Sequence, residues 1–471
     1  MLHLLLTLLL SLSITATAQP TTIRDDKPLP QQWEGWGVSL CWWANMCGRH
    51  SEEHLDSLIH WLTDPEELNY NIFRYNIGGG DDPLWRNCEP HHMGKGKGLR
   101  AEMEGFRDSP EEHYNWQRDK AQQRVTTMIH QRRKDAIFEA FSNSAPWWMT
   151  KSGCVAGHKD PLEDNLREDC YDIFAQYLTD VCLYFKNTHG ITFRTLEPFN
   201  EGITDYWYQS GSQEGCHFSS EAQVRFLKVL YNTMRQKGME TVIAASDETS
   251  VARSVDNFNY YKQHDALRYI GQWNTHTYHG NDNDRALLRQ LTAESGIKLW
   301  QSETGDGGHG LHGNLRMAQR LIDDIRHLQP SAWLDWQYVE ENYDQWSLVS
   351  CDSLWRTYRR HKNYYVRQHF SRFIPAGYRW LTVDSHNATA AISPDGDSMT
   401  VVLLNAGHKP LTTTLHTTST ALWKPEKAYR TSSTEDCAPV TPPTAAQAIT
   451  LPPLSIMTII MKRCSTSTTS R

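Results

Sequence analysis

Between Trp33 and Arg367 the chain alternates two hydrophobic signatures. Eight short β-type runs are apolar almost throughout: 35–40 (GWGVSL), 71–77 (NIFRYNI), 136–142 (AIFEAFS), 192–198 (TFRTLEP), 241–246 (TVIAAS), 270–278 (IGQWNTHTY), 298–303 (KLWQSE) and 332–338 (AWLDWQY). Strands covered on both faces read this way, because neither face is left to water. Amphipathic segments with helix-boundary residues lie between them. Ser109-Pro110-Glu111-Glu112 predicts an N-cap, a first-turn proline and a capping-box glutamate ahead of a long helix. Ser220 with Gln223 predicts another helix start, closed by Gly238. Gly190 ends a helix that begins near Glu168, and 354–370 reads as a last helix. Eight strand–helix units imply a parallel sheet closed on itself, the (β/α)8 TIM barrel of the α/β class. An open doubly wound sheet is the main rival. Gly78-Gly79-Gly80 lacks the G-x-G-x-x-G spacing of a dinucleotide loop and does not support it.

After about Phe370 the helical period disappears. Short alternating runs at 388–393, 399–405, 411–416 and 454–461, separated by Pro and Gly turns, predict a small antiparallel β-sandwich. The expected organisation is a barrel over 33–369 and a side domain from 19–32 plus 370–464, with 465–471 (STSTTSR) as a disordered tail. At the other end, LHLLLTLLLSLSI (2–14) followed by Ala16-Thr17-Ala18 has the apolar core and A-x-A site of a secretory leader ending at Ala18. The run is shorter than the ~20 residues a spanning helix needs. No Cys follows the cleavage site, so a lipoprotein anchor is not expected. The expected location is secreted or periplasmic.

Export permits disulfides. The 10 Cys include no C-x-x-C pair and no zinc-type spacing, and Cys41–Cys47 and Cys154–Cys170 are the local pairing candidates. The net charge of -8 argues against nucleic acid and anionic membranes as partners. The composition anomaly is 18 Trp. A buried indole needs a partner for its N–H, so core filling alone is a poor explanation.

In a barrel of this kind, functional groups gather at the C-terminal ends of the strands. There the sequence puts Trp42 and Trp43, Arg74 and Asn76, Trp147 and Trp148, Asn200-Glu201, Asp247-Glu248, His276 and Tyr278, Glu303, and Trp336. Glu201 and Glu303 each end a run that would otherwise bury them, and an unpaired buried carboxylate is costly. Two carboxyls ~5–5.5 Å apart perform retaining glycoside hydrolysis. Glu248 and Asp247 compete for these roles, with less aromatic context around them. Asp205 and Glu214 read as loop residues. Trp42, Trp43, Trp147, Trp148, Trp207 and Trp336 all fall near strand ends, where indole faces stack on sugar rings. A carbohydrate cleft is therefore expected, with Asn76 and His276 among its hydroxyl-binding residues. The histidines His276, His279, His309 and His312 lack a matching carboxylate set and read as hydroxyl-binding or loop residues. No metal and no cofactor is implied.

The stretches GWGVSLCWWA (35–44), FRYNIGGG (73–80), SNSAPWWM (142–149), HTYHG (276–280), WQSETG (300–305) and DWQY (335–338), with Asn200-Glu201 and Glu303, resemble glycoside hydrolase family 30. Within it, they resemble the endo-β-1,6-galactanase-like branch. The resemblance implies a (β/α)8 barrel with a side β domain built from both chain ends. It implies Glu201 as acid/base and Glu303 as nucleophile. Tyr278 would donate to the nucleophile, and Arg74 would keep it ionised. Asn200 would bind the sugar 2-hydroxyl, and Trp147 and Trp336 would line that subsite. Many relatives read Asn-Glu-Pro where this chain has Asn200-Glu201-Gly202, a difference in loop shape. The expected activity is endo-β-1,6-galactanase action on a polysaccharide or oligosaccharide by a monomer. A β-1,6-glucanase, an exo-β-glycosidase, a xylan-active enzyme and a non-catalytic carbohydrate-binding protein are the alternatives.

Overall fold

The computed structural model describes residues 19–89, 92, 99–341, 345–444 and 447–464. The leader expected at 1–18 and the tail expected at 465–471 lie outside them. Strand β1 (Gln19–Arg24) comes first and does not join the barrel. Eight parallel strands then close a barrel in chain order: β2 (Gly35–Ser39), β3 (Ile72–Asn76), β4 (Ile137–Phe141), β5 (Thr195–Glu197), β6 (Val242–Ser250), β7 (Gln272–His279), β8 (Lys298–Glu303) and β9 (Ala332–Asp335). Closure is made by β2 against β9, with Gly35 opposite Ala332 and Val38 opposite Asp335. Each strand falls on one of the eight apolar runs, and β6 and β7 extend beyond theirs, to Ser250 and His279. Helices cover the outside of this barrel, so outward and inward side chains are both buried. That explains the missing alternation.

Helix starts follow their side-chain caps. Ser51, Ser219 and Asn281 accept from the backbone N–H of His54, Ala222 and Asp284, opening the helices Glu52–Thr63, Ser220–Gln236 and Asp282–Glu294. Two helix expectations need correction. The capping signal at Ser109 opens no helix there, and the helix runs from Lys120 to Arg132. Glu112 instead turns back to accept from Asp108 N at 3.1 Å. Trp116 stacks flat on Tyr184, with centroids 4.1 Å apart and planes at 3°. Tertiary aromatic packing holds this segment out of helical form. At the other end the helix is Lys362–Ser371. Asp352 accepts from the N–H of Arg356 (2.8 Å) and Thr357 (3.4 Å), and Tyr358–Arg360 pairs with Val349–Cys351 in a small three-stranded sheet.

The remaining strands form a nine-stranded sheet with its own apolar core, including Ile23, Val383, Val401, Leu451 and Ile459. Strand β1 sits inside it, antiparallel to Arg379–Val383 and parallel to Leu411–Thr417. That one parallel pairing departs from the antiparallel expectation. The sheet packs on the base of the barrel through aromatic side chains. Trp33 lies 4.7 Å from Trp36 and 5.2 Å from Trp380, and Trp36 lies 6.3 Å from Trp333. The Trp36 indole N–H donates to Ile374 O at 2.7 Å. His369 ties the last helix to the sheet, with its two ring nitrogens 2.8 Å from Thr458 Oγ1 and 2.9 Å from Thr431 Oγ1.

The disulfide is Cys88–Cys154, joining the segments that follow β3 and β4 across 66 residues. Neither local pairing forms, and Cys41, Cys47 and Cys170 are free and buried. Cys41 belongs to the aromatic cluster at the barrel mouth, whereas Cys47 lies in the main core. Cys170 Sγ accepts from Arg167 Nη2 at 3.0 Å.

Candidate active site

A cavity of about 600 Å³ opens at the C-terminal ends of the barrel strands. Trp42, Asn200, Glu201, Tyr278, Glu303 and Trp336 line it. Arg74 and His276 lie directly beneath, with no exposed surface. The structure brings these eight sequence-predicted residues together.

Glu303 ends β8. It accepts from Tyr278 Oη at 2.8 Å on Oε1 and from Arg74 Nη1 at 2.9 Å on Oε2. Glu201 lies four residues beyond β5, in the left-handed region at φ 51°. Four contacts hold that backbone: Glu201 N donates to Asp247 O at 2.9 Å, and Glu201 O accepts from Trp207 Nε1 at 3.0 Å, Thr204 Oγ1 at 2.7 Å and Thr204 N at 3.3 Å. A conformation this uncommon for a non-glycine residue persists only where its surroundings over-determine it. His276 Nδ1 is 3.0 Å from Glu201 Oε1 and 3.5 Å from Glu303 Oε1. One oxygen of each glutamate and one His276 nitrogen all lie within 4.8 Å of one another.

The charges below the cavity are densely shared. Arg74 Nε donates to Glu139 Oε1 at 2.9 Å, and Arg74 Nη2 pairs with Asp247. One guanidinium thus serves three carboxylates. Burial pushes the Glu303 carboxyl above its ordinary value, against the opposing pull of His276 and Arg74. Arg74 is thus one of two cations, with His276, that oppose the burial of Glu303. Burial also works against ionisation of Asp247, but Arg74 and His276 outweigh it and hold Asp247 below its usual range. For His276, burial disfavours the charged ring. Glu303, Asp247 and Glu201 overcome that and push its pKa up to about 10. His276 is then a proton donor to the pair. That state suits hydrogen bonding to Glu201 and Glu303 better than metal ligation, although the three residues have the donor types of a metal site. The second such cluster, Cys88, His92 and Cys154, has its two sulfurs joined in the disulfide.

Two sequence-predicted residues stand apart from the cavity. Asn76 is fully buried and donates to Glu214 Oε2 at 2.9 Å, anchoring a loop. Trp147 packs behind Trp42 and Trp336 under the Arg86 guanidinium, 5.4 Å from its ring. The tryptophan footprint is also smaller than the sequence implies. Trp43 is core, 5.1 Å from Tyr338, and Trp207 braces the Glu201 backbone. Most other indoles are buried with a partner, as in Trp300 to Glu34 (2.7 Å), Trp333 to Asp324 (2.9 Å) and Trp423 to Asp25 (2.8 Å). Sequence reasoning missed Arg100, Tyr206, Arg320, Glu340 and Trp346, all of which line the cavity. Arg100 Nη2 meets Glu340 Oε1 at 2.7 Å, joining the segments after β3 and β9. Arg320 donates to Thr304 Oγ1 (2.9 Å) and Gly305 O (2.7 Å), fixing the residues after Glu303.

The profile of O-glycosyl hydrolase family 30 matches residues 29–296. An endo-β-1,6-galactanase of Hypocrea rufa is 29% identical over 388 residues, covering 80% of this chain and 79% of that protein. An exo-β-1,6-galactobiohydrolase of Bifidobacterium longum subsp. longum is 25% identical over 411 residues, with 66% of this chain matched and only 26% of that longer protein. The catalytic domain of the family 30 xylanase C from Talaromyces cellulolyticus superposes with a TM-score of 0.71 at 19% identity, over 94% of this chain and all of that one. At that identity the likeness speaks for the fold, and the profile match carries the family. With a closed eight-stranded barrel and a separate mostly antiparallel sheet, the chain belongs to O-glycosyl hydrolase family 30 and is an O-glycosidase.

Proposed function

We propose that the chain is an exported, retaining endo-β-1,6-galactanase acting on β-1,6-linked galactan such as arabinogalactan side chains. The observation that carries the chemistry is the approach of Glu201 and Glu303, whose nearest oxygens lie within 4.8 Å. That spacing suits direct attack by one carboxylate better than the ~6.5–9.5 Å an interposed water needs. The linkage and mode of attack rest on the Hypocrea rufa enzyme, and export rests on the apolar leader at 1–18. In this reading the barrel over 33–369 carries the reaction, and the sheet from 19–32 and 370–464 buttresses its base.

Glu303, oriented by Tyr278 and Arg74, attacks the anomeric carbon and forms a glycosyl ester. The glycosidic C–O bond breaks with its electron pair on the leaving oxygen, which takes the proton of Glu201. Glu201 then removes a proton from water, which attacks the same carbon and releases Glu303. Asn200, whose buried Oδ1 accepts no hydrogen bond from the protein, faces the cavity and binds a sugar hydroxyl. Trp42 and Trp336, edge to face at 5.1 Å, form an apolar wall for the ring. Proton NMR of a β-1,6-galactan digest should show the β-anomer first, with little release from β-1,6-glucan or xylan. Glu303→Gln and Glu201→Gln should each lower turnover on galactan by ~10³-fold or more without changing the melting temperature. Initial α-anomer, or near-native turnover in either variant, would overturn the reading.

A further inference from the structure

Glu201 has both carboxylate oxygens engaged. Oε1 meets His276 Nδ1 at 3.0 Å, and Oε2 accepts from the Tyr206 hydroxyl. The two partners differ in freedom. His276 is fully buried in β7, whereas Tyr206 is 42% exposed on the loop that follows β5. Tyr206 lines the cavity on the Glu201 side together with Gln213, Thr249 and His279. Its ring leans edge-on against Trp207 at 4.7 Å, and Trp207 is itself fastened to Glu201 O. Burial and the neighbouring Glu201 charge keep the phenol protonated, so it acts as a donor.

An acid must turn one oxygen towards the glycosidic oxygen it protonates. Oε1 faces inward to a side chain locked in the barrel, which leaves Oε2 for the substrate. We propose that Tyr206 is a positioning residue for leaving-group departure. Its hydroxyl holds Oε2 of Glu201 where the glycosidic oxygen of a saccharide will lie, and yields that place when the substrate binds. Tyr206, Gln213, Thr249 and His279 then line the subsite for the departing sugar. The inference rests on the acid/base reading of Glu201 and goes beyond it by naming the group that aims the acid.

The test compares two substrates in the full-length enzyme. One is a β-1,6-galactooligosaccharide, whose leaving alkoxide needs protonation. The other is an aryl β-galactoside with a nitrated phenol leaving group, which departs without a proton. Tyr206→Phe removes one oxygen and keeps the ring on Trp207, and Tyr206→Leu is run beside it as a second variant. The expected result for both is a fall in kcat/KM of ~10-fold or more on the oligosaccharide, with the aryl substrate within ~2-fold of wild type. Equal losses on the two substrates, or no loss on the oligosaccharide, would overturn the proposal. Glu201→Gln is the control for the underlying reading. It should lose the oligosaccharide, keep formation of the glycosyl-enzyme from the aryl substrate, and regain aryl turnover with azide. If that control fails, the acid/base assignment falls whatever Tyr206 does. If it holds and the Tyr206 variants show no split, only the positioning role falls.

Discussion

At the mouth of the barrel His276 is surrounded by Glu201, Glu303 and Asp247, whereas near the base His369 bridges only the hydroxyls of Thr431 and Thr458. Both rings are completely buried. Burial disfavours the charged form of each. At His276 the carboxylates outweigh it and move the pKa up to about 10, while at His369 burial prevails, aided by Arg372, and moves it down to about 3. The same side chain is thus an acid held in reserve at one end and a neutral hydrogen-bonding strut at the other. What differs is the net charge of the neighbours, which follows from whether an element serves chemistry or packing.

The comparison breaks most strongly at its two anchors. Arg74→Met removes the cation shared by Glu139, Asp247 and Glu303. It should cost about 3–5 kcal/mol in urea unfolding and abolish turnover. Trp36→Ala, in the aromatic cluster at the base, should cost about as much, roughly 3–5 kcal/mol. The specific activity of the molecules that remain folded should stay near wild type. A base variant that kept its stability but lost kcat would erase the distinction between the two ends.

The histidines sharpen it through pH. His369 binds its proton less readily folded than unfolded, so its contribution is present above the ordinary value of 6.5 and is lost as pH falls from there towards 3. The His276 contribution has the opposite sign. It is fully present below 6.5 and is lost as pH rises through about 10. Urea unfolding from pH 7 to pH 4 should therefore show a fall that is shallower in His369→Asn, and equal slopes would refute the assignment. The smallest effect concerns loop shape. A Cβ at Gly202 would stand 2.7 Å from Gln223 Nε2 and 3.3 Å from Phe218 Cβ. Gly202→Pro should cost about 1–2 kcal/mol in thermal melts and slow glycoside hydrolysis less than ~10-fold.

The barrel is legible because its strands are covered on both faces, and continuous apolar runs such as NIFRYNI have few other uses. Whereas Glu201 lies four residues beyond its strand, the position of Glu303 at a run end is legible for the same reason: a carboxylate there interrupts an otherwise apolar segment. Residues supplied by loops were not. Arg100 and Trp346 reach the cavity from excursions whose path depends on pairings such as Arg100–Glu340 and Val349–Cys351 with Tyr358–Arg360. No local periodicity encodes those. Ser109-Pro110-Glu111-Glu112 shows the converse, a sound local helix signal overridden because Trp116 packs on Tyr184. The tryptophans misled in a third way. An indole at a strand end serves a cleft or a core equally well until its N–H partner is known.

Strand β1 carries a consequence for how the molecule is made. Ile23 lies beside Val383 on one side and Thr417 on the other, so both neighbours of this early strand are synthesised only after the whole barrel. Until then β1 has two open edges and nothing to pair with, a contact of very high sequence separation and a slow one to form. In such an order of assembly the last strands to be made clasp the first.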